Sequence, residues 1–99
     1  MLVVEGCYII VRTVHAGIFA GTLLSRNGTE TVLTNARKLY YWYGADSISE
    51  LSQVGVVNPK SCRFSMIMPE VLLLGTTTIV PVSEVARAII ESVPIWLAD

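Results

Sequence analysis

Ninety-nine residues make one domain with room for a single core, so one unit spanning 1–99 is expected. The chain is 53% hydrophobic and only 15% charged; so much apolar surface on so small a body points to a homo-oligomer, in which a second copy covers part of it. Seven basic against eight acidic residues give a net charge of −1, which argues against a dedicated duplex-DNA binder.

In chain order, "CYIIVRT" is a short β-rich run and "HAG" a turn. "IFAGTLLSR" and "TETVLT" flank Asn27–Gly28, a strong hairpin signal, since both central residues of a type I′ turn need φ > 0. A two-residue Asn-Gly loop sets Arg26 opposite Thr29, Leu24 opposite Thr31 and Leu23 opposite Val32. It leaves Leu23 and Val32 on one face, with Leu24 and Leu33 on the other. Gly21 permits a sharp bend or a close backbone approach, so this ribbon suits a small barrel.

"KLYYWY" reads as a further strand ended by Gly44. A helical excursion over about 46–54 follows, with Ser47-x-x-Glu50 as a capping box and Gly55 as its stop. "CRFSMIM", "EVLLL" and "TTTIVPV" are strand-like, and Pro81 belongs at an edge or a strand end. Ser83 caps a C-terminal helix over about 84–93. Its stripe is Val85, Ile89 and Val93, widened by Ala86 and Ile90. The predicted class is mainly β, a small barrel with a short inserted helix and a C-terminal helix.

The apolar runs are far shorter than the roughly 20 residues a membrane span needs. "MLVVEGCYII" lacks a basic n-region and a small-residue cleavage site, so the expected location is the cytoplasm. Cys7 and Cys62 are far apart and His15 is the sole histidine, so free thiols and no metal are expected. No glycine-rich phosphate loop is present, and no nucleophile–base–acid order can be drawn. The expectation is a protein without enzymatic activity and without a cofactor.

The chemistry gathers in "VLTNARKLYYWYGA", where four of the chain's eight Phe, Tyr and Trp residues stand consecutively after an Arg–Lys pair. Strand alternation puts Arg37, Leu39, Tyr41 and Tyr43 on one face, with Lys38, Tyr40 and Trp42 on the other. A guanidinium beside stacked rings can hold a phosphate while the rings stack a base. The candidate ligand-binding residues are therefore Asn35, Arg37, Lys38, Tyr41, Trp42 and Tyr43. Such rings also suit a subunit interface.

The first half, "EGCYIIVRTVHAGIFAGTLLSRNGTETVLTNA", resembles Sm-like and other SH3-like small barrels, with Gly21-Thr22-Leu23 on a bent strand. Through "RTVHAGIFAGTLLSRNG", "VLTNARKLYYW" and "IVPVSEVARAIIESVPIW", nearly the whole chain resembles a family of small bacteriophage and prophage proteins. That resemblance implies a viral protein acting in a bacterial host cytoplasm. By analogy of fold and origin it suggests a homo-oligomeric anti-defence sponge for a cyclic nucleotide or related immune signal. The alternative is an Sm-like RNA-binding or structural or regulatory protein-interaction module.

Overall fold

A computed structural model describes residues 3–42 and 47–97. Six strands form one antiparallel sheet: β1 (Tyr8–Thr13), β2 (Ile18–Asn27), β3 (Glu30–Tyr41), β4 (Arg63–Phe64), β5 (Met68–Leu73) and β6 (Thr76–Pro81). Helix α1 (Ile48–Val54) and a single 3-10 turn (Pro59–Ser61) lie between β3 and β4, and α2 (Glu84–Ser92) follows β6. The class is the expected one, mainly β with an inserted helix and a C-terminal helix. The helical excursion was expected to begin at residue 46, which lies outside the described residues.

The sheet runs β3-β2-β1-β6, with β4 and β5 pairing successive lengths of the remaining edge of β3. Strands β5 and β6 thus stand at opposite ends of the sheet, yet only Leu74 and Gly75 connect them. A connection that short forces the sheet to curl until its two ends meet. At the meeting point the Thr76 N–H donates to the Thr29 carbonyl (3.0 Å), the Val14 N–H donates to the Gly75 carbonyl (3.0 Å), and the Thr31 and Thr76 hydroxyls bond at 2.9 Å. No ladder joins β5 to β6 among the described residues, so the barrel is left open.

The curl gives the sheet two apolar faces, and β1 serves both. Tyr8 and Ile10 point to one side, where α1 and α2 contribute Ile48, Leu51 and Ile90. Ile9 and Val11 point to the other, into a cluster built from strands: Phe19, Leu23, Leu33, Ala36 and Leu73. This period-2 sorting of "YIIV" explains a continuous apolar run inside an antiparallel sheet.

Two bulges bend the long β2–β3 ribbon, and the turn lies one residue later than the sequence suggests, which overturns the register read from it. Asn27 pairs with Glu30, so the loop residues are Gly28 and Thr29, and Arg26 faces Thr31. Gly28 alone has positive φ there (61°), the requirement of a type II′ turn rather than of an Asn-Gly type I′ turn. Leu24 is the extra residue between the pairs Leu23↔Leu33 and Ser25↔Val32. Leu23 and Leu33 are therefore buried together while Leu24 is exposed.

The second bulge lies between Ala20↔Arg37 and Thr22↔Thr34, where Asn35 adopts φ 50° opposite Gly21. A Cβ on Gly21 would lie 3.0 Å from the Ala36 Cα, which is the close approach expected of that glycine. Because the chain bends at Asn35 without leaving the sheet, "KLYY" continues β3 instead of starting a new strand.

Nothing lies within 4 Å of a Cβ built on Gly28, so substitution there meets only backbone strain. Gly28→Val should cost about 1–3 kcal/mol, the usual cost of a side chain held in the left-handed region. Denaturant unfolding measures this directly. An unchanged midpoint would mean that the turn does not need this φ.

Both helices end as the sequence suggests, with differences of detail. The Gly55 N–H bonds to the Leu51 carbonyl and stops α1, but Ser47 caps α1 without a side-chain bond. Ser83 caps α2 by accepting from the Ala86 N–H, and its hydroxyl donates to the Gln53 carbonyl at 2.6 Å, tying the helices together. The buried stripe of α2 is rotated from the expected one: Ala86 and Ile90 are buried with Val93, whereas Val85 is 65% exposed. Among the described residues no helix is long and apolar enough to cross a membrane.

Candidate ring–cation site

The sequence-predicted site divides in two, because Arg37 turns inward. It is 2% exposed and lies among backbone carbonyls. Its Nε donates to the Ser65 carbonyl (2.8 Å), Nη1 to the Ile90 carbonyl (2.9 Å) and Nη2 to the Pro94 carbonyl (3.4 Å), with the guanidinium 5.4 Å from the Phe64 ring centre. Burial lowers its pKa from the ordinary arginine value, and the neighbouring Tyr8 acts in the opposite direction.

The reason is local to α2. The helix has no basic residue in its last turn, so its end carbonyls draw their donor from a distant strand. Arg37 is therefore a clamp that fixes the C-terminal segment to β4. The expectation that it faces a ligand beside Tyr41 is corrected by this packing.

The other predicted residues fall in three places. Asn35 is exposed on the bulge, where its positive φ is accounted for by the backbone. Trp42 is partly buried against the helix-side core, away from the exposed rings. Tyr43 lies outside the described residues.

Lys38 and Tyr41 do come together in one surface, and Tyr40 joins them. A bulge between Leu39↔Phe64 and Tyr41↔Arg63 breaks the alternation of β3, so Tyr40 and Tyr41 are both exposed, at 52% and 49%. Leu39, expected on the face of Tyr41, is buried.

Two residues complete the surface that local sequence patterns do not single out. Arg63 is placed by pairing of β4 with β3, and Trp96 by the tail after α2. The tail forms a parallel bridge between Ile95 and Phe64, and the Trp96 N–H donates to the Phe64 carbonyl at 3.0 Å. The only early signals were an arginine in a weakly alternating run and a tryptophan after Pro94. Neither carries information about a contact made across some thirty residues.

The result is a continuous ladder. Lys38 Nζ lies 5.8 Å from the ring centre of Phe19 and 5.4 Å from that of Tyr40. Tyr40 meets Trp96 edge to face at 5.6 Å. The Arg63 guanidinium lies 5.3 Å from Trp96 and 5.9 Å from Tyr41. Ring and cation contacts at these distances hold side chains in place while leaving the outer donors of both cations to solvent or ligand. The one ion pair among the described residues joins Arg87 to Glu91 at 3.4 Å, on α2. Neither ladder cation is thus paired with a described carboxylate.

Elsewhere, the buried Tyr8 hydroxyl has its pKa pushed up to about 12, first by burial and then by Glu91, against the opposing pull of Arg87 above its ring. Cys7 is half-buried, and the buried Cys62 thiol donates to the Asn58 carbonyl at 3.6 Å. Among the described residues no group of three His, Cys, Asp or Glu side chains is placed to hold a metal. Two clefts lie away from the ladder. One of about 430 Å³ is lined by Val3, Val4, Glu5, Leu23 and Arg26, and one of about 410 Å³ by His15, Ala16 and Leu72 to Gly75.

Fold and surface together define a small β-rich protein with an open aromatic and cationic stripe at the edge of its sheet. Residues 6–90 match the domain of unknown function DUF6948, and the chain belongs to that family. No curated protein and no solved structure matches it.

Proposed function

We propose that this protein is a non-enzymatic, self-associating binding protein that takes a nucleotide-type ligand on the ladder of Lys38, Tyr40, Trp96, Arg63 and Tyr41. The observation carrying this reading is the alternation itself: rings that can stack a base stand beside cations that can hold its phosphate. In the finer form of the proposal the protein is of phage or prophage origin and acts in a bacterial cytoplasm, removing a nucleotide signal of host defence by stoichiometric binding. That form rests on the sequence resemblance.

Self-association is supported by exposed apolar side chains on a sheet edge. Strand β5 pairs only with β3 among the described strands, and Met66, Ile67, Leu72 and Leu74 on or beside it are exposed. The same edge favours a second reading, a protein-interaction module that adds a partner's strand to β5.

Native mass spectrometry of freshly purified protein should give a mass at least twice the 10.8 kDa chain, with any retained ligand visible as an increment. Calorimetric titration of mononucleotides, cyclic di- and trinucleotides and short oligonucleotides then tests the site. A monomer rejects self-association. Silence across the whole panel rejects the nucleotide reading and leaves the interaction module.

A further inference from the structure

Resting on the nucleotide reading above, the geometry points to a more specific ligand: we infer that the ladder binds a linear, single-stranded oligonucleotide of two or more residues, open at both ends, in preference to an enclosed single nucleotide. Three observations carry this.

The first is the order of groups along the stripe. Lys38 lies against Tyr40 and Arg63 against Trp96, so each ring of the pair has its own cation. A ligand that sets a separate phosphate on each cation carries two anionic groups, with planar groups between or beside them. A lone nucleoside monophosphate has one phosphate and can fill only one of these two positions. The second is openness. Trp96 is 41% exposed and the two tyrosines about half exposed. Small ligands depend on concave enclosure for most of their buried surface, whereas a strand laid on an open row of rings gains affinity from each added base.

The third is the small number of cations. With a net charge of −1 and only two cations on the ladder, neither paired with a described carboxylate, the electrostatic share of binding is modest. Stacking on unpaired bases must then carry most of the affinity, which a duplex, with its bases stacked on each other, does not offer.

The test uses the full chain and a graded series: AMP and UMP, linear di-, tetra- and hexanucleotides of RNA and of DNA, a cyclic dinucleotide and a 12-base-pair duplex. Quenching of tryptophan fluorescence and calorimetry supply the affinities. Affinity should rise at least tenfold from mononucleotide to tetranucleotide, and the duplex should bind more weakly than the hexanucleotide.

Two phosphate contacts predict a slope of log K against log salt of about −1.4, or roughly a sevenfold loss between 50 and 200 mM salt. Lys38→Gln and Arg63→Gln should each make that slope shallower by about 0.7, and Trp96→Ala should remove the length dependence while circular dichroism stays unchanged. The RNA and DNA arms identify which strand is preferred.

If mononucleotides or the cyclic dinucleotide bind as tightly as the hexanucleotide, this inference fails and nucleotide binding stands. If length dependence persists in all three variants, the strand lies elsewhere and the ladder is rejected. If nothing in the series binds, both readings fall.

Discussion

Replacing Arg37 by alanine should destabilise the protein by about 3–5 kcal/mol, since two well-made bonds from a buried cation to carbonyls are lost together with side-chain packing. The acceptors are the Ser65 and Ile90 carbonyls at 2.8 and 2.9 Å, with Pro94 a longer third. Each belongs to a different segment: the residue after β4, the last turn of α2, and the tail. Alanine leaves all three without this donor, and of the three bonds the one to Ile90 is fully buried. Arg37→Lys should rescue only a small part, because an ammonium on a flexible stem cannot reproduce a planar fork aimed at three acceptors. Against a total stability of 5–15 kcal/mol typical of such domains, the loss is a large fraction. Denaturant unfolding reads it out. A fold that stays fully stable while ligand affinity drops would instead make Arg37 a ligand contact.

That outcome separates what the sequence shows from what it hides. Turn and cap chemistry is local, so Gly28, Gly55 and Ser83 are legible at their positions. Strand faces are legible only while alternation holds. Three bulges, at Leu24, at Asn35 and beside Tyr40, each shift the pattern by one residue. The shift at Asn35 leaves Ala36 and Arg37 buried in succession, and no spacing rule on "NARKL" anticipates it. The ring cluster was visible, but which rings face outward was not. Arg63 and Trp96 are supplied by β4 and by the tail, the two segments whose Ser65 and Pro94 carbonyls accept from Arg37. Two of the five ladder residues are thus brought in by contacts far apart in sequence.

Phe64 makes the same dependence measurable at the core. It is fully buried, pairs with Leu39 across the β3–β4 ladder, and lies beneath the Arg37 guanidinium. Its backbone holds the tail, accepting from the Trp96 N–H and bridging Ile95. Phe64→Ala should cost about 3–5 kcal/mol through lost burial and the cavity left behind. Because Phe64 and Arg37 touch, their effects should not add: the double variant should fall short of the sum by about 0.5–3 kcal/mol, the range for residues in contact. Phe64→Leu, which keeps most of the apolar volume, should preserve the fold at a smaller cost and loosen the tail. Fluorescence of Trp96 would then shift toward that of a solvated indole before global unfolding begins, with Trp42 as the internal reference. Additive effects in the cycle, or a Trp96 signal that moves only with global unfolding, would show that the clamp and the ladder are independent.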